Sequence, residues 1–139
     1  MRIFYVIIIN IFFYFQIFGQ KAYWQQQISY DINVDFNHQN HQFDLTEKIT
    51  YYNNSPDNLN KVFFHLYYNA FQPGSMMDVR SRTIADPDSR VLDRIQSLNK
   101  DEIGFQKINS VVDGNNKKLI FNEQGTILEV ILDQPLRPG

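Results

Sequence analysis

The residues able to do chemistry fall in three places along the chain. His38 and His41 stand three apart in His38-Gln39-Asn40-His41, a spacing that would put two imidazoles on one helix face for a metal ion. Asn and Gln surround them, which favours a hairpin loop, and no carboxylate or thiolate stands by as a third ligand. Asp86 and Asp88 suggest calcium, but Pro87 and Arg90 break the Asp-x-Asp-x-Asp-Gly order of a calcium loop. His65 interrupts an apolar run and reads as a hydrogen-bonded core histidine. Between Asp78 and Arg90 the charges Asp78, Arg80, Arg82, Asp86, Asp88 and Arg90 alternate in sign. Mixed charge of this kind braces a long loop with ion pairs, and Arg80 or Arg82 could equally dock a carboxylate from another domain. There is no His-Glu-x-x-His, no Gly-rich phosphate loop, no Gly-x-Ser-x-Gly elbow and no cysteine nucleophile.

These residues have to be positioned by strands. Residues 28–37 alternate with period two: Ile28, Tyr30, Ile32, Val34 and Phe36 on one face, Ser29, Asp31, Asn33, Asp35 and Asn37 on the other. Residues 43–52 alternate through Phe43, Leu45, Ile49 and Tyr51, with Glu47 interrupting the apolar side, so the two runs are expected to pair antiparallel. Asn53 to Asn60 gathers turn formers, and Asn53-Asn54-Ser55 matches the N-glycosylation pattern, a three-residue match of little weight. The run opening at Val62 (Val62, Phe63, Phe64, Leu66, Tyr67, Tyr68) is dense enough to be a central strand with both faces covered. It feeds a charged excursion through Pro73-Gly74.

A helix is expected after that excursion, with Asp86 as cap, Pro87 at its first position and Val91, Leu92, Ile95 and Leu98 on one side. Strands at 105–112, 117–122 and 126–132 follow, separated by Asp113-Gly114-Asn115 and Gln124-Gly125. Leu136-Arg137-Pro138-Gly139 reads as a turn toward a further strand, and the chain as the front part of something larger. The fold class is mostly β: one antiparallel domain over residues 20–139, with a short helix in a long insertion.

Composition narrows the partners. The 139 residues are 43% hydrophobic and carry a net charge of −2, which leaves no basic field for nucleic acid. Residues 3–18 are apolar except for Asn10 and Gln16 and end at Gly19, the outline of a signal peptide over 1–19. Sixteen residues at about 1.5 Å each reach roughly 24 Å, short of the ~30 Å hydrocarbon core. Export to the periplasm or outside is therefore expected, with no stable membrane insertion after cleavage. With no cysteine, the exported domain has neither a disulfide nor a residue to carry a lipid.

Tyr23-Trp24-Gln25-Gln26, Tyr51 to Asp57, and Phe64-His65-Leu66-Tyr67-Tyr68-Asn69-Ala70-Phe71-Gln72-Pro73-Gly74 resemble the amino-terminal domain of exported bacterial zinc metallopeptidases of the aminopeptidase N (gluzincin) family. Asp78 to Thr83 and Gly125 to Val130 are similar to that group as well. The resemblance implies a saddle-like β-sandwich that packs on a thermolysin-like catalytic domain of the same protein and helps to wall the peptide cleft. Zinc is expected in that catalytic domain and not on this chain. No catalytic or metal role carries over to any residue here, and the chain should be inactive alone. The residues expected at the interdomain contact are His65, Tyr67, Asp78, Arg80 and Arg82. The alternative reading is a free-standing secreted β-sandwich module that binds carbohydrate or protein.

Overall fold

The computed structural model describes residues 23–139; the expected signal peptide lies outside the described residues. They form two units, one holding the residues up to Pro56 together with Pro138–Gly139, the other Asp57–Arg137.

The first unit is a long two-stranded antiparallel ribbon, β1 (Gln27–Asn37) with β2 (Gln42–Tyr52). Its register follows from the alternation: Ile28 faces Tyr51, Tyr30 faces Ile49, Val34 faces Leu45 and Phe36 faces Phe43, so one face is apolar from end to end. The exception is the midpoint, where Ile32 faces Glu47. His41 takes φ 54° in the connecting turn, and the Gln39 N–H donates to Asn37 Oδ1 at 3.0 Å. Among the described residues each ribbon strand has one hydrogen-bonding edge without a neighbouring strand.

The second unit is built on a three-stranded antiparallel sheet of β3 (Leu59–His65), β4 (Ile120–Gln124) and β5 (Ile127–Leu136), in the order β3-β5-β4. Leu128 and Val130 of β5 are buried and meet Leu66 in a small core, with Val62, Phe64, Ile108, Val111, Leu119 and Phe121 packed around them. The Val62 run, expected at the centre, is an edge strand. Its side chains divide between faces, Val62 and Phe64 inward and Phe63 outward at 59% exposure, so the apolar run marks an aromatic outer face and not double coverage. The central place falls to β5, whose Leu128 and Val130 are apolar on the side that is covered. Pro135 is tolerated there because β4 pairs no further than Ile131 and the β3 register is broken between Lys61 and Leu59.

Two other expectations are corrected. Residues 105–112 form no strand; only Val112 bridges, to Lys118. The backbone of this segment bonds elsewhere: Gln106 N–H donates to Asn69 Oδ1 at 2.7 Å and Leu119 N–H to the Val111 carbonyl at 2.9 Å. The expected helix over 87–98 is a string of turns. Leu92 sits at φ 39°, which interrupts the hydrogen-bond ladder, and Asp88, not Asp86, accepts from the Arg90 N–H at 2.9 Å. Ile95, 4% exposed, anchors the segment. The α-helix lies earlier, as α1 (Met76–Thr83), after a 3-10 turn over Tyr67–Phe71. The fold class is as expected: mostly β, two antiparallel sheets and one short α-helix.

The β4–β5 hairpin turns through Gly125 at φ 58°. No atom stands within 4 Å of where a Cβ would be, so replacing this glycine tests the backbone alone. Gly125→Ala is expected to cost about 1–2 kcal/mol in denaturant unfolding. Leu128→Ala, at 5% exposure, is expected to cost about 3 kcal/mol. Ile120→Ala, at 72% exposure, should stay within about 0.5 kcal/mol of the parent.

Candidate functional site

The charged excursion condenses around one carboxylate. Ser75 caps α1, its Oγ accepting from the Asp78 N–H at 3.1 Å and donating to the Ala70 carbonyl at 2.6 Å. This fixes Asp78 in the first turn, where the helix dipole favours an anion. Arg82, four residues on and so on the same helix face, donates Nε–H to Asp78 Oδ1 at 3.0 Å and Nη2–H to Oδ2 at 3.2 Å. The Gly74 N–H, presented by a glycine at φ 83°, donates to Oδ2 at 2.8 Å. The Asp78 side chain is 1% exposed and that of Arg82 is 32% exposed. The Arg82 guanidinium, then the Gly74 amide, hold the Asp78 carboxyl below its ordinary 3.8. Such a carboxylate is a poor base, and what it does is lock the Pro73-Gly74 turn to the helix.

His65 and Tyr67 also come together, their rings stacked 5.2 Å apart at 22° on the exposed side of the β3 exit. His65 is therefore not the core histidine its apolar neighbours suggested. Lys61 continues this side, with Nζ 5.6 Å over the Phe63 ring and 2.6 Å from Glu129 Oε1. Arg80 stays apart: its side chain is exposed and makes no ion pair among the described residues. Of the five residues expected at a contact, the structure thus makes two pairs, His65–Tyr67 and Asp78–Arg82, and leaves Arg80 free. Arg90 and Asp88 pair on the surface at 2.7 Å, and the Arg90 guanidinium lowers the Asp88 carboxyl to about 2.

A depression of about 490 Å³ opens beside α1, lined by Ser81, Arg82, Pro87, Leu92 and Asp93. Arg82 is committed to Asp78, and Ser81 Oγ lies 2.8 Å from both the Asp78 and Leu92 carbonyl oxygens. No nucleophile-and-base pair converges on this space. Among the described residues no three His, Cys, Asp or Glu side chains gather to hold a metal ion, and zinc does not fit them. No described helix is long and apolar enough to cross a membrane.

No protein-family model, curated protein or solved structure matches this sequence. The geometry must carry the reading alone. It adds roles that the sequence did not show. Asn53 is 1% exposed, and its Oδ1 accepts from Gln26 Nε2 at 3.1 Å and from the Ser55 N–H and Oγ–H at 3.1 and 2.6 Å. Asn53 and Ser55 of the glycosylation triplet are thus a buried knot tying the β2 exit to the segment before β1. Ser75 was readable as a cap from Asp78 three positions later. The Lys61–Glu129 pair was not, because it spans 68 positions.

The Asp78 site has a pH signature. With its folded pKa below 3.8, Asp78 adds stability that is complete above about pH 5 and is lost as pH falls through the folded value. Asp78→Asn should lower the thermal midpoint at pH 7 by about 5–10 °C. In far-UV circular dichroism melts the gap to the parent should shrink by pH 2.5.

Proposed function

We propose that this chain is the non-catalytic amino-terminal β domain of an exported zinc aminopeptidase-like metallopeptidase, a saddle-like β-sandwich that packs against a thermolysin-like domain and helps to wall its peptide cleft. The observation that supports this is uncovered apolar surface. Tyr30, Ile32, Val34 and Phe36 of β1 are each 51–59% exposed, part of a contiguous apolar face of the size that marks interaction surfaces. The buried Asp78 and its partner Arg82 are meanwhile engaged in bracing the insertion. In this reading His65, Tyr67 and Arg80 lie at the interdomain contact, and the Asp78–Arg82 pair holds the insertion in shape for it. The zinc, its ligands and the general base belong to the catalytic domain, and peptide reaches this chain only through the whole protein.

The exposure of Phe63, Tyr67 and Phe71, at 59%, 71% and 43%, favours a second reading, a secreted module with an aromatic platform for carbohydrate or protein. The coding sequence past Gly139 separates the two. An open frame carrying His-Glu-x-x-His within a few hundred codons supports the peptidase reading, and a stop codon overturns it. The purified chain with added zinc is expected to release aminoacyl p-nitroanilide no faster than buffer does. Zinc-dependent release above that level would contradict the assignment of catalysis to another domain.

A further inference from the structure

The apolar face of the β1–β2 ribbon carries one charge, and its position is informative. Glu47 faces Ile32 at the middle of the register and stands between Leu45 and Ile49 on its own strand. It is exposed and forms no ion pair among the described residues. At roughly 200 Å² for a fully exposed side chain of this size, the exposed fractions of this face amount to on the order of 700 Å². That approaches the roughly 800 Å² each partner gives to a standard protein interface. The face is large enough to dock a protein, and the question is which kind.

A second copy fits poorly. Two ribbons packed face to face about a two-fold axis through their midpoints set Glu47 of one copy against either Glu47 or Ile32 of the other. Both arrangements bury an unpaired carboxylate, so this residue guards the ribbon against itself, as inward-pointing charges do on other exposed sheets. A different surface that is apolar and brings one cation to the midpoint turns the same carboxylate into a buried, paired anchor. We infer that the ribbon docks a heterologous polypeptide surface, apolar with a single Lys or Arg, and that Glu47 selects that partner by charge. The inference does not rest on the peptidase reading: a stop codon after Gly139 would leave it standing.

Two synthetic amphipathic β-hairpins, identical except for Lys or Glu at the centre of the apolar face, test it against the full chain by fluorescence anisotropy. The parent is expected to bind the Lys hairpin at least tenfold more tightly than the Glu hairpin. Glu47→Lys should reverse that order, and Glu47→Gln, which keeps the size, should abolish the preference. Glu47→Ile should self-associate in analytical ultracentrifugation while the parent sediments as a monomer. Equal affinity for the two hairpins, binding of neither, a parental dimer, or transfer of the parent onto phosphatidylcholine vesicles would each overturn the inference.

Discussion

β5 is the constraint on which the second unit depends. It is the only strand there paired on both sides, and Leu128 and Val130 supply two of the three fully buried members of the core. β3 and β4 do not touch one another; each is held in the sheet through β5. The segment between Leu66 and Leu119 is therefore one long loop, closed when β3 meets a strand more than sixty residues away. Closing it costs entropy that grows slowly with length, and a few internal anchors tie it down along the way. Asn69, 8% exposed, donates to the Gly125 carbonyl and accepts from the Gln106 amide. Ile95 buries itself in the turns that replace a helix. The β4–β5 hairpin pairs residues close in sequence, whereas β3 must close the long loop to reach β5.

What the sequence showed well was period and punctuation. The ribbon was legible because both strands alternate, with Glu47 the one interruption, and the polar loop between them is short; the observed ends lie within a residue of those expected. The hairpin about Gly125 was legible, though its strands, expected at 117–122 and 126–132, run over Ile120–Gln124 and Ile127–Leu136. What failed depended on partners distant in sequence. The Val62 run has the composition of a central strand, and nothing local states that only one of its edges is paired. Residues 105–112 have strand character, but the Gln106 amide donates to Asn69 Oδ1 and the Val111 carbonyl accepts from the Leu119 amide. The helix was misplaced because Val91, Leu92, Ile95 and Leu98 have helical spacing, a weak preference that the left-handed Leu92 overrides. The Ser75-Asp78-Arg82 pattern three and four apart marked the true helix and was read as loop charge.

Within the candidate site the same division holds. The Asp78–Arg82 pairing follows from i,i+4 spacing and could be anticipated, whereas Arg80, two residues away on a different helix face, has no such geometry. His65 and Tyr67 are two apart at the end of a strand, so they share a side and stack, a relation implicit in the period-two pattern once the strand is known to stop at His65. The chain thus gives its ionisable groups to bracing and its open surface to aromatic and aliphatic side chains.

Among the described residues each ribbon strand keeps an outer margin without a neighbouring strand. A margin of this kind can template another strand, and sheets with open edges grow sideways into fibrils when nothing blocks them. The register sets Asp35 opposite Asp44 on the polar face, so stacking a second copy there would crowd like charges, a placement that disfavours such growth.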